Sequence, residues 1–325
     1  MIDWPAFDRL QALIVGDVMT DRYLIGSVER ISPEAPVPVV QLRTKDARLG
    51  GAANVALNVQ AMGAKAWLCS AVGNDEAAEE LLALMRREGL PTQGIISCPG
   101  RKTAVKTRIM AGAQHLLRID EETTDDISTE EAGLLLSRIA EILGSHPIDV
   151  VIFQDYNKGV LTPEVIEAVT KLAMERNIPT AVDPKVKNFW AYRGATLFKP
   201  NLKEIRNQYP GRIETTQESL NEAARYIQQK LDNQLVIITL SEKGLFCFGP
   251  NESDIIPAFP RIISDVSGAG DTVISVAALC LALDMKLKDI ALLSNIAGGQ
   301  VCEKPGVVTV DKAALFEEYR RRSQE

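Results

Sequence analysis

The stretch DVSGAGDT (265–272) sets a carboxylate beside three residues with almost no side chain, at the head of an apolar run. Gly268, Ala269 and Gly270 let backbone amides come close to a ligand. A helix starting there would turn unpaired N–H groups and the positive end of its dipole toward an anion. Asp271 falls in the first turn, where a carboxylate either takes a proton from a nearby hydroxyl or caps the helix; a G-x-G-D alone fits both. A second stretch, RLGGAANVALNVQAMG (48–63), opens a helix with Gly50 and Gly51 and carries Asn54 on its first turn. A polyhydroxylated molecule could lie there against backbone amides, with Asn54 offering a donor and an acceptor. A tightly packed, Ala-rich helix would want the same residues. Asn201 and Glu204 form an N-x-x-E, which is the pattern of a capping box. Candidates for holding an anionic group are Arg48, Lys106, Arg108, Arg118, Lys158, Lys185 and Lys187. Lys106 and Arg108 alternate, so both would project from one face of a strand.

The elements that must position these groups follow from periodicity. Apolar runs at 13–18, 66–72, 149–153, 180–183 and 235–240 have strand length. Helical periods occupy 52–62, 76–87, 130–143, 163–175, 217–231, 270–283, 288–302 and 312–321. Continuous apolar strands separated by helices predict a mostly parallel sheet covered on both faces, a three-layer α/β sandwich. Two stretches break the rhythm. Residues 23–48 contain Pro33, Pro36 and Pro38 among β-branched residues, and 103–120 alternates as VKTRIM and HLLRID. They predict a small antiparallel sheet inserted into a single domain spanning 1–325, with segments at about 22–48 and 100–120 forming a lid. Ligands of open α/β sheets bind beyond the carboxyl ends of the strands. Asp17 ends the first strand and Asp21 follows one turn on, so both are placed to accept hydrogen bonds from hydroxyls, or to brace a turn. Exposed lid edges would be covered by pairing with a second lid, which predicts a homodimer.

Composition excludes several classes. The 36 basic and 43 acidic residues are interspersed and give a net charge of −7, which argues against nucleic acid or an anionic membrane as the main partner. Five isolated cysteines without a C-x-x-C pair, and only two histidines, make a zinc site improbable and point to reduced thiols in a cytoplasmic protein. Residues 1–11 lack a basic-then-apolar signal pattern, and the most apolar stretch, 275–283, is too short to span a bilayer. There is no G-x-x-x-x-G-K-[ST] anywhere and no G-x-G-x-x-G after the first strand. A P-loop and a dinucleotide-binding turn are therefore absent.

GGAANVALNVQAMG with Gly73 resembles the N-terminal signature of the ribokinase/PfkB carbohydrate kinases, and DVSGAGDT resembles their C-terminal signature. Over nearly the whole chain, GDVMTDRY (16–23), RISPEAPVPVV (30–40), LLRID (116–120), DYNKGVLT (155–162), DPK (183–185) and YRGATLFKPNLKE (192–204) are similar to one branch, the heptose-7-phosphate kinase module of the ADP-heptose synthases. Departures are Gln154 and Asn157 around Asp155, Ser241 where Gly is usual, Val276 in the helix after Asp271, and PGVVTV at 305–310.

The resemblance implies a ribokinase-like sandwich with a β lid. It also implies an ATP- and Mg²⁺-dependent kinase acting on the anomeric hydroxyl of D-glycero-β-D-manno-heptose 7-phosphate, with a separate protein supplying the nucleotidyltransferase step. Asp271 would be the base. Its ordinary pKa of about 3.9 makes it weak, which suffices for an acidic anomeric hydroxyl. The amides of Ala269, Gly270 and Asp271 would receive transition-state charge. Asp17, Asp21, Arg48, Gly50, Gly51, Asn54, Lys106, Arg108, Asp155, Lys158 and Lys185 would face the sugar phosphate. Asn201 and Glu204 would act near the triphosphate, Glu204 ordering Mg²⁺ through water. The adenine is expected among Thr239, Ser241, Gly244, Ile263 and Asn295. Monovalent-cation dependence stays open, as do a relative acting on another sugar or nucleoside and a catalytically silent sugar-phosphate-binding protein.

Overall fold

The computed structural model describes residues 4–112 and 114–323. Its strands in chain order are β1 (Gln11–Gly16), β2 (Val18–Ile31), β3 (Pro38–Gly51), β4 (Lys65–Val72), β5 (Ile95–Ser97), β6 (Val105–Ala111) and β7 (Gln114–Glu121). After these come β8 (Val150–Gln154), β9 (Thr180–Asp183), β10 (Leu197–Phe198), β11 (Leu235–Thr239), β12 (Leu245–Phe248) and β13 (Ser253–Ile256). The helices are α1 (Ala52–Ala61), α2 (Glu76–Arg87), α3 (Thr129–Ser145), α4 (Pro163–Glu175) and α5 (Leu202–Gln208), followed by α6 (Gln217–Leu231), α7 (Ala269–Ala282), α8 (Leu287–Val301) and α9 (Lys312–Arg322).

Among the described residues a nine-stranded sheet runs β13-β12-β11-β10-β9-β8-β1-β4-β5. All its pairings are parallel except β11–β12 and β12–β13. β1 shows why its apolar run is continuous. Ala12 and Ile14 pack into the layer of α1, α7 and α8, whereas Leu13 and Val15 pack into the opposite layer of α3, α4 and α6. A strand buried on both faces has no polar side to alternate. The result is the ribokinase-like three-layer α/β fold.

The smaller sheet runs β3-β2-β6-β7. It is mixed rather than antiparallel, because β2 pairs with β6 in parallel from Thr20–Val105 to Gly26–Ala111. The reason is topological: α1, β4, α2 and β5 intervene between β3 and β6, so the chain re-enters from the end at which β2 began. The small sheet is also longer than its sequence signature, since β2 starts at Val18 and β3 continues to Gly51, whose N–H-bearing neighbour Ala52 donates back to the Asp17 carbonyl (2.9 Å). Asp17 and Asn54 therefore flank the junction of the two sheets.

Ser241, where the family resemblance expects glycine, has φ of 55° and begins the tight turn from β11 into β12. The left-handed region costs a residue with Cβ about 1–2 kcal/mol, and the exposed Ser241 side chain is in no hydrogen bond that offsets it among the described residues. Ser241→Gly is expected to raise stability by roughly 0.5–1 kcal/mol, measured as an upward shift of the urea midpoint at unchanged slope.

Candidate active site

Asp271 sits in the first turn of α7 and is 2% exposed. Its helix starts at Gly268, which has φ of 80° and whose added Cβ would stand 2.8 Å from Asn54 Nδ2. Only glycine allows both the left-handed turn and that approach. The Ala269 amide closes a turn onto the Val266 carbonyl (3.3 Å), and Thr272 begins the helical ladder by donating to Gly268 (3.0 Å). Among the described residues the amides of Gly270 and Asp271 have no backbone acceptor. They, rather than Ala269, are the donors this helix start offers to an anion.

The Asp271 carboxylate accepts from three side chains. Asn54 Nδ2 donates to Oδ2 (2.8 Å), while Tyr156 OH (2.7 Å) and Gln154 Nε2 (3.1 Å) both donate to Oδ1. Burial pushes its pKa up to about 6; the Asn54 and Tyr156 hydrogen bonds hold it down in part, and the neighbouring Asp183 adds to the rise. Asp271 is thus a stronger base than the value of about 3.9 expected from sequence alone, because desolvation outweighs its donors.

A chain of contacts leads from Asp271 toward the β11 end of the sheet. Gln154 Nε2 also donates to Asp183 Oδ2 (3.2 Å), which pairs with the buried Lys199 (3.1 Å). Lys185 pairs with Glu204 Oε1 (2.7 Å) and lies 4.0 Å from Asp183. Burial works against the Lys185 ammonium, but the Asp183 and Glu204 carboxylates outweigh it and hold the pKa above its ordinary value. Glu204 Oε2 accepts from the Asn201 amide (2.8 Å), and Asn201 Oδ1 accepts from the Glu204 amide (2.9 Å), so the capping box is real. Asn201 bridges to Thr239 at the end of β11. A Cβ added at Gly270 would have Asp183 Oδ2 at 3.7 Å and Lys199 Nζ at 3.9 Å, so this glycine faces the same carboxylate–ammonium group.

The groups expected to face the sugar divide. Asp21 pairs with Arg108, and a Cβ at Gly50 would be 2.2 Å from Asp21 Oδ2, so glycine is needed there. Arg48 pairs with Asp46 (2.8 Å), donates to the Pro305 and Val307 carbonyls (3.2 and 3.0 Å) and stacks with Arg108 about the Tyr23 ring. Lys106 and Lys158 converge on Glu122. Asp17 and Asp155 are committed differently. Asp17 accepts from the amides of Tyr156, Lys158 and Val160 at 2.7–3.1 Å, and Asp155 accepts from the Asn157 amide (2.7 Å) and from Tyr192 OH (2.8 Å). Both carboxylates brace the loop after β8. Burial raises the pKa of each, that of Asp155 to about 6. Arg118 pairs with Asp120 and Lys187 with Asp126 on the surface. Gly51 is the N-cap of α1.

Of the residues expected around the nucleotide, Gly244 (φ 96°) and the exposed Ser241 flank the β11–β12 turn, and Asn295 Nδ2 donates to the Pro257 carbonyl (2.9 Å). Ile263 is 55% exposed, beside the more exposed Ile262 and Val266. A depression of about 720 Å³ lies at the opposite, amino end of β11 among Gln228, Asn233, Glu252 and Asp284, away from Asp271.

Sequence reasoning singled out neither Gln154, Tyr156, Asp183 nor Lys199 as site residues. The carboxyl-end rule would have found three of them, since Gln154 and Asp183 are the last residues of β8 and β9 and Lys199 follows β10 directly. The five cysteines are buried free thiols. No cluster of three or more His, Cys, Asp or Glu able to hold a metal occurs among the described residues, and no described helix is long and apolar enough to cross a membrane.

Residues 10–313 match the model of the pfkB family carbohydrate kinases. The chain belongs to that family. Kinases of this family are phosphotransferases acting on a hydroxyl group. Over 309 residues the chain is 42% identical to the bifunctional protein HldE of Trichlorobacter lovleyi, covering 94% of this chain and 62% of that protein; it therefore spans about three fifths of the length of this relative. Its fold is shared with phosphofructokinase-2 from Escherichia coli in complex with potassium (18% identity, 97% and 99% of the two chains, TM-score 0.79). It is shared also with Arabidopsis thaliana ribokinase complexed with ribose and ATP (15% identity, 96% and 99%, TM-score 0.72).

If Asp271 must be ionised to take a proton, kcat/KM follows its deprotonation in the free enzyme. A raised carboxyl pKa keeps the group protonated further up the pH scale. The expected profile therefore rises about tenfold per pH unit below about 6 and levels off above it, in a coupled assay of ADP release between pH 4.5 and 8.

Proposed function

We propose that this chain is an ATP-dependent sugar kinase that phosphorylates the anomeric hydroxyl of D-glycero-β-D-manno-heptose 7-phosphate, giving the 1,7-bisphosphate used for ADP-heptose and the lipopolysaccharide core. Support for the chemistry comes from one arrangement above the others: a buried, hydrogen-bonded Asp271 at a helix start whose Gly270 and Asp271 amides are free to receive an anion. Support for the substrate comes from the 42% identity to an HldE protein.

In this reading Asp271 takes the proton of the acceptor hydroxyl as the hydroxyl oxygen attacks the γ-phosphorus of ATP. The Gly270 and Asp271 amides stabilise charge developing on the transferred oxygens, a contribution of about 3 kcal/mol per donor in comparable sites. Lys185 supplies a point charge toward the phosphates and Asn54 orients the Asp271 carboxylate. Both Glu204 oxygens already accept hydrogen bonds, leaving lone pairs for water but no open site for direct ligation. This fits Mg²⁺ held through its water shell, which the ion gives up reluctantly. When bound, Mg²⁺ supplies neutralisation of phosphate charge. Thr239, Ser241, Gly244 and Asn295 are assigned to the nucleotide side, with Ile263 over the base. Asp17 acts on the sugar indirectly by shaping the loop after β8. Lys106, Arg108 and Lys158 each have a carboxylate partner, so binding the 7-phosphate there exchanges one anion for another.

The small sheet carries exposed Leu42 on its edge strand β3 and exposed Leu117 and Ile119 on its edge strand β7, with exposed Ile31 and Val37 at the β2–β3 turn. We assign this surface to a homodimer of a cytoplasmic enzyme. Light scattering is expected to give twice the chain mass, and a stable monomer at working concentration would remove this assignment.

Asp271→Asn is expected to keep the fold and ATP binding while lowering kcat at least a thousandfold. A panel of heptose 7-phosphate, fructose 6-phosphate, ribose and nucleosides, read by ADP release, is expected to give the highest kcat/KM for the heptose. Preference for another acceptor would replace the substrate. Silence across the whole panel would favour a binding protein.

A further inference from the structure

Gln154 ends β8 beside Asp271 and is fully buried. Its amide nitrogen bridges two carboxylates, Asp271 Oδ1 at 3.1 Å and Asp183 Oδ2 at 3.2 Å, while its own carbonyl oxygen is buried with no hydrogen-bond partner. A residue selected for packing alone would not leave its acceptor orphaned in the interior. Its N–H side is the side in use. Together with Tyr156 it gives Oδ1 two donors, whereas among the described residues Oδ2 has Asn54 alone.

We propose that Gln154 is a positioning residue, which clamps Asp271 between Asp183 and Tyr156 so that Oδ1 is saturated and Oδ2 is the oxygen that takes the substrate proton. The inference rests on Asp271 acting as the base. The amide does two things at once. It donates to two like charges that would otherwise repel across a short, dry gap, and it fixes the rotation of the carboxylate about its Cβ–Cγ bond. Charged and titratable groups facing Asp271 are Tyr156 from the loop after β8, Asp183 and Lys185 from the end of β9, and Lys199 beyond β10. None of these donates to both carboxylates. In the proton transfer the hydroxyl O–H bond breaks, its proton goes to Oδ2 and its electron pair forms the new O–P bond, as the bond from phosphorus to the ADP oxygen breaks.

The test is Gln154→Leu, which preserves volume and removes the donors, with Gln154→Met as the second variant should branching disturb β8. In the protein without nucleotide or sugar, the Asp271 carboxyl is titrated by ¹³C NMR on Asp-labelled chain, its signal assigned by its absence in Asp271→Asn. Loss of a donor to the ionised form raises a carboxyl pKa, so the midpoint is expected to move up by half a unit or more. The acid limb of kcat/KM is expected to follow it, and kcat to fall 10- to 100-fold while KM for ATP changes less than threefold. A merely structural role would lower thermal stability and leave the midpoint in place. An unmoved midpoint in a folded variant overturns the proposal whatever the enzyme's activity. A moved midpoint with kcat unchanged in both Gln154→Leu and Asp271→Asn would instead remove Asp271 as the base and, with it, the positioning role.

Discussion

Asp183, Glu204 and Asp271 are buried together at the carboxyl ends of β8–β11, and among the described residues Lys185 and Lys199 are their cationic partners. Like charges at this density are tolerated in a dry site only where every oxygen is hydrogen-bonded or ion-paired, and much of the local architecture serves that requirement. Gln154 ties Asp183 to Asp271, Tyr156 and Asn54 also donate to Asp271, and the third acid, Glu204, is held against Lys185 by the capping box of α5. The glycine at 268 follows from the same crowding, since a Cβ there would press on Asn54.

The arrangement is costly to the folded state and useful to the chemistry. A carboxyl raised by about two units is destabilised by about 3 kcal/mol when ionised at neutral pH. Protonated Asp271 is favoured in the folded chain, so its contribution is fully present below the unfolded pKa and is lost as pH rises through about 6. Asp155, raised to a similar value by burial beside Asp17, adds to the same window. What neutral pH takes from stability it gives to proton affinity, and a base of about 6 is closer to an alcohol's need than one of about 4.

Much of this was legible from residues alone, for identifiable reasons. The parallel sheet showed in continuous apolar runs because both faces of β1 and β8 are covered. The helix start at Gly268 showed because anion-binding turns need small residues at fixed spacing. Asp17 and Asp155 illustrate where such reasoning stops: type and strand-end position fit a sugar ligand, but their oxygens go to backbone amides that lie 139–143 positions away from Asp17 and to Tyr192. Gln154 stood out only as a departure beside Asp155, and Lys199 was not singled out, because the type of a strand-end residue does not reveal its partner; only the neighbouring strands do. The small sheet's mixed pairing was hidden for the same reason, as period-two alternation gives strand but not direction.

That mixed pairing has a kinetic corollary. Asp21 and Arg108, ion-paired diagonally between β2 and β6, are 87 positions apart in the chain, and α1, β4, α2 and β5 lie between. A contact so distant is closed only after the entropy of a long loop has been overcome. The lower-separation hairpins β2–β3 and β6–β7 can form first, while their zipping together waits for the intervening layer to assemble. During synthesis and refolding the small sheet is therefore the last wall to be raised, and until then its apolar edge strands stand open to neighbouring chains.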